Sequence, residues 1–193
     1  MQWKEVESEI RLETLSDAFR HLDCLSALNA IIGLGQGIRV YMLQSCAQAV
    51  LAHVRAEKYE VGGLLLGHVY QADVTQIVSA EALTVVTQSV PSHKHRNSSV
   101  SLEMNTEVWS RANDHLSSGN IVVGWYHSHP NLGAFFSGTD RRTQRAFFNH
   151  HYSLGWVIDP IRDQQRVFCG GESEEYLHRI VEIDHGLEMA TVS

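Results

Sequence analysis

The stretch Gly124-Trp-Tyr-His-Ser-His-Pro130, running on to Phe135-Phe-Ser-Gly-Thr-Asp140, decides the reading of this chain. Ile121–Tyr126 is strongly apolar and reads as a buried strand that runs into His127-Ser-His129. In a strand, residues two apart project to the same face, so His127 and His129 point the same way. Pro130 lacks an N–H for the ladder and ends the pairing. Ser137-Gly-Thr-Asp140 then opens a helix, expected over Thr139–His150. Ser at the N-cap with an acid three residues on also satisfies a capping box. A carboxylate in the first helical turn is favoured by the positive end of the helix dipole. Two imidazoles and a carboxylate with one position left open is the ligand pattern of a catalytic zinc; closed structural sites take four protein ligands.

Outward from this centre, elements alternate. Ile38–Met42 reads as a strand and Gln44–Lys58 as a helix, with Cys46, Ala47, Val50, Leu51 and Val54 on one face. Val61–Val69 is an apolar run broken by Gly62, Gly63 and Gly67, which marks bulges or the close approach of another strand or a substrate backbone. Thr75–Val86 reads as its antiparallel neighbour, residues 87–103 as a long polar loop, and Glu103–Leu116 as a helix. Leu154–Ile158 and Arg166–Cys169 are strands joined by an Asp159-Pro160 turn, with a last short strand around Arg179–Ile183. The fold class is α/β, a mixed and mostly antiparallel sheet flanked by helices. Residues 1–36 read as a helical extension, with Val6, Ile10, Leu15, Phe19, Leu22 and Leu25 at helix-like spacings, packed on its own domain or on a partner; 37–193 is the main domain.

Composition bounds the rest. The 193 residues suit one domain with its own core, and 44% apolar with 19% charged is an ordinary globular balance. The net charge, 15 − 22 = −7, argues against a general grip on nucleic acid phosphates. The 12 His are many for such a chain and ask for a metal. Three Cys, at 24, 46 and 169, form neither a disulfide framework nor a short-spaced zinc site and suggest a reducing compartment. The N-terminus, with Glu5, Glu7 and Glu9, is not a secretory signal, and no apolar run is long enough to cross a bilayer. The expectation is a soluble cytoplasmic protein with no membrane or nucleic acid partner.

A hydrolytic zinc needs a proton carrier, and Glu60, directly before Val61-Gly-Gly-Leu-Leu-Leu-Gly67, is the best candidate, ahead of Glu57 and Glu103. Together, Glu60 with its Gly-rich strand, His127-Ser-His129-Pro130 and Ser137-x-x-Asp140 resemble the JAMM (MPN+, Mov34/PAD) zinc metalloproteases across roughly residues 38–170, and the motif is complete. The resemblance implies the JAMM/MPN, cytidine-deaminase-like layout and one Zn2+ per chain on His127, His129 and Asp140. It implies Glu60 as general acid/base and Ser137 as hydrogen-bond donor to the tetrahedral oxyanion. It implies hydrolysis of the isopeptide or peptide bond after the C-terminal tail of ubiquitin or a ubiquitin-like protein. Compact stand-alone prokaryotic members resemble this chain most; some work beside E1-like and E2-like proteins in bacterial ubiquitin-like conjugation, and others process sulfur-carrier proteins. Loop 87–103 resembles the family's first insertion, whereas the second is absent or minimal between Phe148 and Leu154, so a second zinc through His150 and His151 is not expected; His93 and His95 read as solvated loop residues. The competing readings are a non-catalytic MPN-type scaffold, disfavoured by the full ligand set, and a small-substrate zinc hydrolase or deaminase, the deaminase being disfavoured by the missing His-x-Glu and Pro-Cys-x-x-Cys.

Overall fold

A computed structural model describes residues 12–37, 39–71, 82–92, 106–116 and 120–184. In chain order these carry β1 (Glu13–Thr14), α1 (Ala18–His21), α2 (Cys24–Leu34), β2 (Val40–Leu43), α3 (Gln44–Ala56), β3 (Gly62–Gln71), β4 (Ala82–Pro91), α4 (Thr106–Leu116), β5 (Ile121–Ser128), α5 (Gly138–Phe147), β6 (Leu154–Asp159), β7 (Gln164–Cys169), β8 (Glu174–Tyr176) and β9 (Val181–Ile183). The strands form one mixed sheet in the order β8-β7-β6-β5-β3-β4-β2-β9, with β1 added alongside β3. Its longest ladder, β3 with β4, is antiparallel, as is that of β3 with β5.

β5 and β6 are parallel neighbours, with Gly124 opposite Leu154 and Ser128 opposite Ile158, and α5 lies in the crossover between them. Parallel strands need such a crossover. It brings the start of α5 back to the carboxyl ends of β5 and β6, where α/β sheets leave a crevice. Two apolar clusters sandwich the sheet. One gathers Val50 and Val54 of α3, Ala27 and Ala30 of α2, and Leu65 of β3. The other gathers Val108 and Ala112 of α4 with Leu64, Leu66, Trp125, Phe136 and Phe148.

Two expectations need correction. The N-terminal segment is not one helix: a 3-10 turn over Leu15–Asp17 and α1 end at Leu22, and α2 restarts after Asp23. The Asp23 side chain accepts from the N–H groups of Leu25 and Ser26, both at 3.0 Å, so this residue caps a new helix and does not continue the old one. The buried set is accordingly Ala18, Leu22, Ala27, Ala30 and Leu34, while Phe19 and Leu25 face out; Val6 and Ile10 lie outside the described residues. The second correction concerns β4, which runs on through Thr87–Pro91 where a loop was expected, because β3 pairs it as far as Gly63 opposite Pro91. Residues 72–81 and 93–105, which hold the rest of the expected strand and loop with His93, His95 and Glu103, lie outside the described residues.

The loop after β5 is pinned by a single buried carboxylate. Asp159 accepts from the backbone N–H groups of Asn131 at 2.9 Å, Gly133 at 2.7 Å, Ile161 at 3.0 Å and Arg162 at 3.1 Å. Burial acts to raise its pKa, and the four donors outweigh it and hold the carboxyl down at about 2. A pKa depressed in the folded state contributes stability that is complete above the ordinary carboxylate range and is lost as pH falls towards about 2. Replacement by Ala strands several donors and costs on the order of 2 kcal/mol. Asp159→Ala should therefore lower the calorimetric Tm at neutral pH by roughly 4–8 °C, and the gap from wild type should close as both are acidified to pH about 2. An unchanged neutral Tm would show that the loop does not depend on this carboxylate.

Candidate metal centre

Trp125, His127 and His129 alternate along the end of β5 and the residue after it, and all three are buried. His129 leaves the regular strand, yet its N–H still donates to Ile158 O at 2.8 Å, so the ladder with β6 fixes its backbone. The Trp125 indole lies flat against the His127 ring, with centroids 4.6 Å apart and planes 9° from parallel. The indole N–H donates to Gln144 Oε1 at 2.6 Å, and Gln144 Nε2 donates to Phe148 O at 3.1 Å and Ser153 O at 3.3 Å. Gln144 sits one turn after Asp140 in α5, so the same helix face that carries the carboxylate also anchors the indole backing His127. This packing requires Gly155: a Cβ there would lie 2.3 Å from Phe136 Cζ and 3.0 Å from the Trp125 indole nitrogen.

The capping box and the candidate ligand turn out to be one arrangement. Ser137 Oγ accepts from Asp140 N–H at 3.2 Å, and Ser137 N–H donates to Asp140 Oδ2 at 2.7 Å. The same carboxylate reaches His127 Nε2 at 3.4 Å from Oδ1 and His129 Nε2 at 3.7 Å from Oδ2, and the two Nε2 atoms are 3.1 Å apart. Burial acts to raise the Asp140 pKa, but contact with His127 and the hydrogen bonds from Ser137 prevail and lower it. His129 is pushed down by burial and by the charge of His127, against Asp140, Glu60 and the Gly133 backbone, which favour its charged form. A neutral imidazole at His129 and an ionised carboxylate at Asp140 are forms in which a zinc-class cation takes its ligands. All three ligand atoms lie within 4.8 Å of one another and all three residues are buried, so this donor set fits one such cation.

Glu60 reaches the centre through β3. Gly62 is opposite His127; the Ser128 N–H donates to Val61 O at 2.8 Å and the Val61 N–H to Ser128 Oγ at 3.0 Å. Continuing this antiparallel register one step sets Glu60 beside His129. Half-burial raises the Glu60 pKa; the charge on His129 opposes the rise and that on Asp140 adds to it. The glycine beside it has a local cause: a Cβ on Gly63 would meet Val90 O at 2.3 Å and the Tyr126 ring at 2.8 Å, so here the neighbouring strands demand the glycine.

The structure thus brings His127, His129, Asp140, Ser137 and Glu60 to one place. His150 and His151 pack instead against Tyr152, with centroids 5.1 Å and 5.5 Å away, apart from the centre. Cys46 and Cys169 are buried thiols pushed up to about 12 and about 11 by desolvation, which leaves no thiolate for nucleophilic work. Sequence reasoning passed over Trp125, Ser128, Gln144 and Asp159. The period-two spacing of Trp125 with His127 and His129 was a usable signal for the first; the others depend on contacts remote in sequence.

Comparisons with known proteins identify the family. Residues 43–168 match the family described as prokaryotic homologs of the JAB domain. The chain is 32% identical over 108 residues to the NAD(+) hydrolase TcpA of a Theionarchaea archaeon, covering 55% of this chain and 29% of that one. It is 30% identical over 129 residues to the ubiquitin carboxyl-terminal hydrolase RPN11 of Saccharomyces cerevisiae, covering 64% of this chain and 39% of that one. The chain therefore spans well under half the length of these relatives. A solution structure of a protein from Desulfitobacterium hafniense superposes with a TM-score of 0.54 at 21% identity, over 75% of this chain and 92% of that one, a likeness of fold. With a family match over most of its length, a JAB-like mixed α/β fold and the complete Glu, His-x-His-Pro and Ser-x-x-Asp pattern gathered at one strand end, this chain belongs to the JAB/MPN (JAMM) family, in its prokaryotic branch.

Proposed function

We propose that this protein is a zinc-dependent isopeptidase that hydrolyses the bond after the C-terminal tail of ubiquitin or a ubiquitin-like protein, with residues 37–193 as the catalytic domain. The observation that carries the reading is the buried His127–His129–Asp140 triad, its ligand atoms within 4.8 Å of one another, with a half-buried carboxylate of raised pKa beside it. The deubiquitinating relative named above supplies the substrate class. His127, His129 and Asp140 would hold one Zn2+, which when bound supplies Lewis acidity to the scissile carbonyl and to water. Glu60 takes the proton from the attacking water and delivers it to the leaving amine, and a raised pKa suits a group that must do both. Ser137, fixed at the N-cap of α5, turns its hydroxyl proton towards the developing oxyanion. Trp125 and Gln144 hold the His127 ring and keep water off its back face. The exposed side chains of Leu132 and Phe135, the latter with its ring 4.9 Å from that of His129, offer an apolar wall to an extended tail. The acidic net charge fits protein substrates better than nucleic acid. No described helix is long and apolar enough to cross a membrane. A cytoplasmic setting alongside E1-like and E2-like partners completes the proposal.

Each of these roles has a measurable outcome. His129→Ala should lose one equivalent of zinc by metal analysis, and equal zinc in variant and wild type would remove the ligand assignment. Glu60→Gln should keep that zinc while turnover of a ubiquitin-like fusion falls by a factor of order 10² or more; full activity would move the proton-carrying role elsewhere. A Gly-ending tail should be cut at its end, and exchanging its last Gly for Leu should block cleavage. A chelator should stop the reaction, and thiol alkylation should not, since the exposed Cys24 has no part in it; loss of activity on alkylation with zinc retained would overturn the mechanism.

A further inference from the structure

The pairing of β5 with β3 stops at Gly67 opposite Ile121. Beyond it, His68–Gln71 continues as strand on the other side with β4, and on the vacated side β1 pairs in parallel, Glu13 opposite Tyr70 and Thr14 opposite Gln71. The N-terminal segment is therefore stitched to the far end of the strand whose other end leads into Glu60. From Gly62 to His68 is roughly 20 Å of extended chain.

At this seam three metal-ligating side chains converge. The Glu13 carboxylate lies 3.2 Å from His21 Nε2 through one oxygen and 3.2 Å from His68 Nδ1 through the other. The three ligand atoms lie within 4.8 Å of one another. His68 is buried, with a side chain 7% exposed, and Glu13 and His21 are about a third exposed, so the cluster opens to solvent on one side only. His68 Nδ1 and Glu13 Oε2 are buried without a well-aligned hydrogen bond, as is the nearby Tyr70 hydroxyl. The His21 and His68 rings stack with centroids 4.0 Å apart. The cluster thus presents imidazole nitrogens and a carboxylate oxygen with unused valence.

We propose that Glu13, His21 and His68 form a second metal site, which binds a first-row divalent cation of the Zn2+ class and clamps the N-terminal segment to β3. Two nitrogen donors and one oxygen select such ions over Ca2+ and Mg2+, which take oxygen ligands. A small opening of the ring stack lets both lone pairs reach one ion, with solvent on the exposed side for the fourth position. The ion's role here is a cross-link between segments, and the site shares no residue with the His127 centre.

The test uses the full chain with Zn2+ as probe, with metal content measured after dialysis and Tm followed on titration. Wild type should hold two equivalents, His129→Ala one, His21→Ala one, and the double variant none. Zn2+ added to His129→Ala should raise its Tm and slow amide exchange in residues 13–21 and 68–71, and His21→Ala or Glu13→Gln should weaken that binding by roughly a hundredfold. His21 and Glu13 are partly exposed, so these variants test the site without emptying the core. A His129→Ala protein that binds no zinc, or binds one equivalent unaffected by His21→Ala and Glu13→Gln, overturns the proposal. Failure of the His127 assignment alone would read differently: His129→Ala would then match wild type while the His21 dependence persisted.

Discussion

Everything at the carboxyl end of β5 answers to one constraint: two imidazoles and a carboxylate are buried within 4 Å of one another. Burying such groups without compensation costs several kcal/mol. Compensation comes from the crossover. Because β5 and β6 are parallel, the chain between them must return, and the returning helix begins where the imidazoles end. Asp140 then serves twice, closing the capping box with Ser137 and facing both histidines. The helix dipole favours its charge, and that charge in turn favours a cation between the ligands. Trp125, Gln144 and Gly155 follow from the same demand, since a ring that must not swing needs a flat wall, an anchor for that wall, and room for both.

How legible the molecule was depended on the range of each signal. His127-x-His129-Pro130 and Ser137-x-x-Asp140 are local patterns whose geometry comes from strand and helix periodicity, so their meeting at a strand end and a helix start could be read directly. The central elements, from β2 to α3 and from β5 to β7, carry strong apolar periodicity and were placed to within a few residues. Asp23 shows what periodicity misses: Leu15, Phe19, Leu22 and Leu25 keep a helical spacing, but a side chain that bonds two backbone N–H groups starts a new helix there. The extension of β4 to Pro91 was hidden because polar Gln88 and Ser89 are held in strand by β3, a partner some two dozen residues away. Asp159 reads locally as a turn residue before Pro160, and only the tertiary fold gives it the N–H groups of Asn131 and Gly133.

Glycine carried more than one message. Gly62 and Gly63 beside Glu60 admit either a substrate or a neighbouring strand on sequence grounds, and at Gly63 the structure answers with Val90 and Tyr126. On the loop that Asp159 pins, Leu132 and Phe135 stay exposed despite their size. Exposed apolar side chains next to a buried polar centre are a common feature of ligand sites, which combine an apolar wall with a few fixed polar groups.

β3 is the member that ties these features together. One end leads into Glu60 and the other carries His68, while Leu64, Leu65 and Leu66 between them are fully buried. Leu64 and Leu66 face one apolar cluster and Leu65 the other, so a slip of one residue would exchange every side chain between the two cores. The register is pinned further by irregularities against both neighbours, between Leu66 and Gly67 facing β4 and between Leu65 and Leu66 facing β5. A strand buried on both faces cannot creep along its axis without breaking both ladders and both cores together. The register of β3 therefore sets the place of Glu60 beside His129, and whatever binds at Glu13, His21 and His68 acts on a rigid bar whose far end is already set.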